Sequence, residues 1–466
     1  MPDLTPLLAD ASSNLLAARY QMAFTLGFHI ILACFGVAFP AMMLIAEYRG
    51  RKHDDAEALR LAERWSKVVA VLFAVGAVSG TVLSFELGLL WPEMMDRFGD
   101  AFGVAFAIEG IFFFLEAIFI AIYIYGWKRL PGWAHFWSGI PIVISGVGGA
   151  AAVIAANSWM NTPQGFELGA DGRVSDVNVA DVLLNPSFWH EFPHMWLAAY
   201  MVTGFLVASV YAVGMMRGRR DRYHRLGFLI PFTVAAIATP IQLFVGDMAA
   251  RDVADDQKSK FAALECVYET KDHQPENVFG ICESDDIKYE IAIPDLDSFL
   301  VGWSVDTVVT GLDDIPDDEK PPALTLIHWA FDVMVGIGTA LLLLAAWFAI
   351  VWWRRRSLPE SIWFLRAAAI AGAAAIVAME SGWIVTEVGR QPWIVRGFMR
   401  TEEAVTGAQG LWWVFGLTMT IYATLAVVAA FILRAFARRW REAEGEPEVP
   451  YGPRPDRKAP TGGAAA

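Results

Sequence analysis

Uninterrupted apolar runs of twenty or so residues recur along this chain, each long enough to cross a bilayer as a helix. Inside hydrocarbon every backbone polar group needs an internal partner, so such runs fold as helices. The length criterion predicts about nine spans, near 17–46, 68–90, 103–126, 139–159, 188–216, 227–247, 323–353, 363–388 and 410–433. The expected fold class is therefore all-α, a polytopic membrane bundle of about nine transmembrane helices. Composition agrees: 56% of the 466 residues are hydrophobic, 18% are charged, and the mean hydropathy is +0.42. A soluble chain carries about 25% charged residues. The net charge of −14 argues against nucleic acid as a partner. The first residues are acidic and the first apolar run is long, the pattern of a retained span rather than a cleaved signal.

Charge in the connections sets an expected orientation. Basic clusters follow the odd-numbered spans: Arg49, Arg51 and Lys52, then Lys128 and Arg129, Arg217, Arg219 and Arg220, Arg354 to Arg356, and Arg434, Arg438 and Arg439. The alternate connections are acidic or poor in basic residues, apart from the segment after the eighth span. The positive-inside rule then puts the N-terminus outside and the C-terminus in the cytoplasm. Four regions follow: spans one to six in 1–248, an extracytoplasmic loop in 249–322, spans seven to nine in 323–441, and a Pro-, Gly- and Ala-rich tail in 442–466, read as disordered. The loop carries many acids and is long enough to expect a function of its own.

Several side chains inside these spans carry chemistry. His29 lies in the first span, where it either hydrogen-bonds a neighbouring helix or binds iron through its imidazole. Glu109 and Glu116 lie seven apart in the third span, on one helix face. They either pair with basic groups of other spans or relay protons. The fifth span opens with His190-Glu191-Phe192-Pro193-His194. That spacing is close to a zinc-protease motif, but a membrane span follows at once and no third ligand is evident. Pro193 is expected to sit near a helix start. Met334 in the seventh span is either packing or one half of a His–Met axial pair on a low-spin heme. Glu387 and Arg390, three apart at the end of the eighth span, can meet across one helical turn. On the expected topology His29, His194 and Glu387 lie toward the outer surface, and Met334 about eleven residues, or roughly 16 Å, into its span.

The stretch Met379-Glu380-Ser381-Gly382-Trp383-Ile384-Val385-Thr386-Glu387-Val388-Gly389-Arg390-Gln391-Pro392-Trp393 ends in a Gly-Arg-Gln-Pro-Trp run. This run resembles the signature of subunit I of the cytochrome bd quinol oxidases, and the likeness extends through ordered motifs to about Arg439. The resemblance implies that His29 ligates one high-spin heme, Glu387 the other, and His194 with Met334 the low-spin heme b. It leaves open which macrocycle sits on His29 and which on Glu387. The implied cofactors are two heme b and one heme d, or a third heme b in place of heme d. In Gln257-Lys258-Ser259-Lys260-Phe261-Ala262-Ala263-Leu264-Glu265, Lys260 and Glu265 match the lysine and glutamate of the family's quinol-binding segment. One would hold a quinol oxygen and the other take its proton. Glu109, Glu116 and Arg390 complete the implied working set.

The short loop resembles the branch sometimes described as cyanide-insensitive. Two positions depart from the family pattern: Asp332 stands where an arginine precedes the axial methionine, and Glu109 and Glu116 are seven rather than eight apart. The implied protein is a multi-pass quinol:oxygen oxidoreductase subunit of the bacterial cytoplasmic (inner) membrane. It would oxidise quinol near the outer face and reduce oxygen to water, separating charge by sidedness without a pump. Its implied partners are membrane lipid, a second large membrane subunit (subunit II) and, in some members, a small single-helix subunit. The alternatives are a di-heme b quinone-linked subunit with no oxygen site, which would not need Glu387, and an ion-coupled transporter using His29, Glu109 and Glu116. Cys266 and Cys282, both in the loop, are expected to bridge rather than remain free thiols. Closing that loop stabilises it by roughly 3 kcal/mol on the chain-entropy account.

Overall fold

A computed structural model describes residues 5–283 and 285–442, with side chains from Ser13 onward. The tail expected to be disordered lies outside the described residues. Among those described, nine helices are long and apolar enough to cross a membrane. They are α1 (Thr5–Lys52), α2 (Ala56–Leu90), α3 (Pro92–Gly126), α4 (Gly132–Asn161), α6 (Phe188–Met216), α7 (Arg222–Asp256), α10 (Leu324–Arg355), α11 (Ile362–Gly389) and α13 (Leu411–Glu442). Four short helices lie in connections: α5 (Val179–Leu183), α8 (Lys258–Leu264), α9 (Leu296–Gly302) and α12 (Thr401–Ala404).

Several helices run past the apolar windows that announce them. α2 begins at Ala56 rather than near 68, because Asp55 caps it by accepting from the Ala58 N–H. Its polar first turns are held by Arg60–Glu57 and Lys67–Glu63 pairs. α3 begins at Pro92, one residue after α2 ends, with proline in the first turn where its missing N–H is harmless. α7 continues to Asp256, so the long connection runs from Gln257 to Ala323. α6 starts at Phe188, which leaves Pro193 inside the helix rather than at its start. Neighbouring helices and side chains make an internal proline tolerable at membrane depth.

α1, α6, α7, α10 and α11 share the main apolar core, which includes Phe205, Phe228, Phe232, Phe364 and Met379. Two glycines let backbones approach. A Cβ on Gly204 of α6 would lie 2.7 Å from the Pro231 carbonyl of α7, and one on Gly372 of α11 would collide with the Leu206 backbone of α6. α2, α3 and α13 are the least buried spans. They present Phe85, Leu89, Ile111, Phe114, Trp413 and Phe431 outward.

The long loop folds over one end of the bundle. β3 (Glu276–Val278) pairs antiparallel with β6 (Ile291–Ile293), and β4 (Ile281–Cys282) pairs with β5 (Ile287–Lys288) between them. Cys266 and Cys282 form the expected disulfide, with Cα atoms 6.1 Å apart. His328 of α10 clamps the loop from below, with Nδ1 2.7 Å from the Leu264 carbonyl and Nε2 2.8 Å from that of Phe279.

Candidate functional site

A cavity of about 430 Å³ opens between α6, α7, α10 and α11, beneath the loop. His194 and Met334 both line it, although 140 residues separate them in sequence. Its volume suits a cofactor or drug-sized ligand, for which pockets run roughly 300–1,000 Å³. Glycines keep it open beside both side chains. A Cβ on Gly382 would stand 2.9 Å from the Met334 sulfur, and one on Gly246 would stand 3.2 Å from His194 Cε1. His194 Nε2 lies 3.2 Å from the Gln242 amide nitrogen, and Nδ1 has no partner among the described residues. An imidazole and a soft thioether lining one largely apolar cavity fit axial ligation of a heme iron. His190 borders the same cavity, 3.3 Å from Asp252. Among the described residues the side chains grouped closely enough to hold one ion lie in the loop.

Asp332, the position expected to carry arginine, accepts the Phe279 N–H at 2.5 Å and lies 3.6 Å from His328. Its charge serves loop docking.

His29 is prepared differently. Its Nδ1 lies 2.9 Å from Ser79 Oγ, and that hydroxyl donates to the Gly76 carbonyl at 3.0 Å. Ser79 therefore accepts from Nδ1–H, which leaves Nε2 as the free donor atom. Holding the second nitrogen fixes a metal-binding histidine's tautomer and orientation. A Cβ on Gly80 would lie 2.9 Å from His29 Cε1. Gln21 and Thr25 precede His29 by two turns and one turn, and Gln21 donates to Glu86 Oε1 at 2.8 Å.

Glu387 accepts from Asn157 Nδ2 at 2.7 Å and forms a close ion pair with Arg390, the contact expected from their spacing. Arg390 is buried, and its Nε and Nη1 lack partners among the described residues. Glu116 is buried on α3, and a Cβ on Gly36 of α1 would lie 3.5 Å from its Oε1. Glu109, Glu116 and Tyr123 fall on one face of α3. The Tyr123 hydroxyl donates to Glu47 Oε2 at 2.5 Å.

The structure does not set Lys260 and Glu265 against one another. Lys260 Nζ donates to Asn161 Oδ1 at 3.1 Å, and Asn161 Nδ2 donates to Glu191 Oε1 at 2.8 Å. Burial pushes the Lys260 ammonium down to about 7, against the pull of Glu191. Glu265 turns instead toward Glu276 and Asp297, and burial followed by those two carboxylates raises its pKa well above the ordinary range. Ser79, Gln242, Asn157, Asn161, Glu191, Glu276 and Asp297 escaped sequence reasoning. They have no special spacing, and only the packing brings them to the sites.

Fold and site thus define a polytopic membrane helical bundle with a cavity lined by both His194 and Met334. The family model for cytochrome bd terminal oxidase subunit I matches residues 17–440, and the chain belongs to that family. It is 33% identical to a putative cytochrome bd menaquinol oxidase subunit I of Bacillus subtilis (strain 168), over 91% of this chain and 97% of the relative. It is 30% identical to the same organism's cytochrome bd ubiquinol oxidase subunit 1, over 84% of this chain and 86% of the relative. The solved bd oxidase from Geobacillus thermodenitrificans superposes with a TM-score of 0.85 at 36% identity, covering 91% of this chain and 98% of that one.

Proposed function

We propose that this chain is the heme-bearing subunit of a quinol:oxygen oxidoreductase. The observation that carries the reading is the cavity shared by His194 and Met334 in a chain of this family. Those two side chains would hold the low-spin heme b, and His29 and Glu387 the two high-spin hemes. The complement would be two heme b and one heme d, or three heme b. Heme, when bound, supplies the electron transfer and oxygen chemistry; the protein places and tunes it.

The protein's own part is proton and substrate handling. Lys260 within α8 and Glu265 at its end would receive quinol from the loop, with the released protons leaving on that side. Glu116 and Glu109 would carry protons through α3 for the reduction of oxygen, entering from the basic, cytoplasmic end. Charge separation then arises from sidedness without a pump. Arg390 would hold the Glu387 carboxylate in place through their ion pair. The exposed apolar faces of α2, α3 and α13 would be shared between lipid and a second large membrane subunit in a bacterial cytoplasmic membrane. A small single-helix subunit fits the same surface.

The test is a reduced-minus-oxidised spectrum of the purified protein together with a heme count. Three hemes per chain and quinol-driven oxygen consumption are expected. Two heme b without oxygen consumption would replace this reading with a quinone-linked electron carrier, and no heme would discard it. Met334→Leu nearly conserves volume, so the fold should change by less than about 1.5 kcal/mol, while the low-spin signal shifts or vanishes. An unchanged midpoint potential would break the His194–Met334 pair.

A further inference from the structure

Glu265 ends α8, Glu276 opens β3, and Asp297 stands in the first turn of α9. The pairing of Glu276 with Ile293 across β3 and β6 brings the last of these back beside the first two. One carboxylate oxygen from each lies within 4.8 Å of the other two. Two of the three are buried, Glu265 4% exposed and Asp297 1%, and Glu276 is half-buried. Glu265 Oε2, Glu276 Oε2 and Asp297 Oδ2 have no hydrogen-bond partner among the described residues. Glu265 and Glu276 interact with one another, Asp332 adds a further negative charge near both, and His328 acts on Glu276 with the opposite sign. Lys260, five residues before Glu265, is engaged with Asn161 instead. Gln274 adds a separate buried oxygen. Its Oε1 is unpartnered, and its backbone is bonded at both N–H and C=O to Ser298, the residue after Asp297. Buried carboxylates without a counter-charge are costly, and a largely buried set with free lone pairs calls for a cation.

We infer that Glu265, Glu276 and Asp297 form a binding site for a divalent cation of the calcium type. The donors are all hard carboxylate oxygens, a set that suits calcium, magnesium or manganese. Their mutual separation suits one ion with oxygens at roughly 2.3–2.6 Å; magnesium needs a tighter octahedron and keeps more of its water. All three residues line the loop end of the cavity that holds His194 and Met334. The ion ties α8, β3 and α9 together at the point where Cys266 and Cys282 bridge the same segment. A loop with so little apolar core is then held by two staples, one covalent and one ionic. The site goes beyond the quinol role proposed for Glu265, since one carboxylate oxygen on the ion leaves the other for substrate.

The purified complex in detergent, treated with chelator and dialysed against calcium chloride with equimolar magnesium, gives the test by metal counting. One calcium per chain is expected in the wild type, and its loss in Asp297→Asn and in Glu276→Gln. Heme spectra of the variants report that they remain folded. Limited proteolysis of the wild type supplies a readout free of substitution: calcium should slow cleavage in the loop relative to chelator. Equal calcium in wild type and both variants, no calcium in the wild type, or cleavage indifferent to calcium would each overturn the site and leave the acids sharing protons. Quinol-driven oxygen consumption is read on the same wild-type samples. Calcium bound without that activity counts against the proposed function while supporting the site, and activity without bound calcium does the reverse.

Discussion

Glu387 and Glu265 are both carboxylates near the loop end of the bundle, the first half-buried and the second buried, and their surroundings are opposite. Glu387 has an amide on one oxygen and a guanidinium on the other. Glu265 faces Glu276 and Asp297 and keeps an oxygen without a partner. The first is a carboxylate already matched by a guanidinium. The second lies in a group that cannot all remain charged unless something positive joins it. Lys260, between the two regions, belongs to the first through Asn161 and Glu191, although in sequence it is next to the second. The contrast is one of charge matching: Glu387 has a guanidinium partner, and Glu265 is set among further carboxylates.

The sharpest way to break that contrast is Glu387→Gln, which removes the charge and keeps the shape. Loss of one high-spin heme and a fall in oxygen consumption of about 100-fold or more are expected, at or beyond the upper end for changes around metal ligands. An unchanged heme count would return Glu387 to the role of a helix-end ion pair.

Glu265→Ala addresses the other side. Quinol-driven turnover should fall by about 100-fold, the low end for a positioned acid–base group, while oxygen reduction fed by an artificial donor is spared. Equal loss with both donors would place the damage in the hemes or the fold.

Removing the bridge with Cys266→Ser and Cys282→Ser should weaken the loop by about 3 kcal/mol at most. Hydrogen exchange in 266–282 reads this directly, and the Glu387 region should be untouched because its partners Asn157 and Arg390 come from the membrane helices. Protection lost in both regions would show that they are one unit.

The smallest effect is expected for Ser79→Ala, which extends the comparison to a neutral donor. His29 keeps its place but loses the acceptor that fixes its tautomer. A shift in one high-spin heme potential and a change in heme affinity of about tenfold are expected, the low end for an outer partner. Identical spectra and potential would remove Ser79 from the site.

The sequence by itself determined the bundle, because spanning hydrocarbon leaves the backbone almost no alternative to a helix, and about nine apolar runs become nine spans. It determined the Glu387–Arg390 contact too, since residues three apart on a helix are neighbours whatever surrounds them. The family's motifs marked His29, His194 and Met334 as donors to test, while loop composition and spacing marked the Cys266–Cys282 bridge. Periodicity could not supply what comes from separate elements. The shared cavity of His194 and Met334, the Ser79 acceptor on His29, the Asn157 amide on Glu387, and the meeting of Glu265, Glu276 and Asp297 all join residues far apart in the chain. The helix ends were misplaced for a related reason: apolar windows report bilayer thickness, whereas α2, α3 and α7 continue into water on polar turns. Local rules fix what each segment becomes. Which segments face one another, and therefore which charges are matched, is decided only when the helices pack.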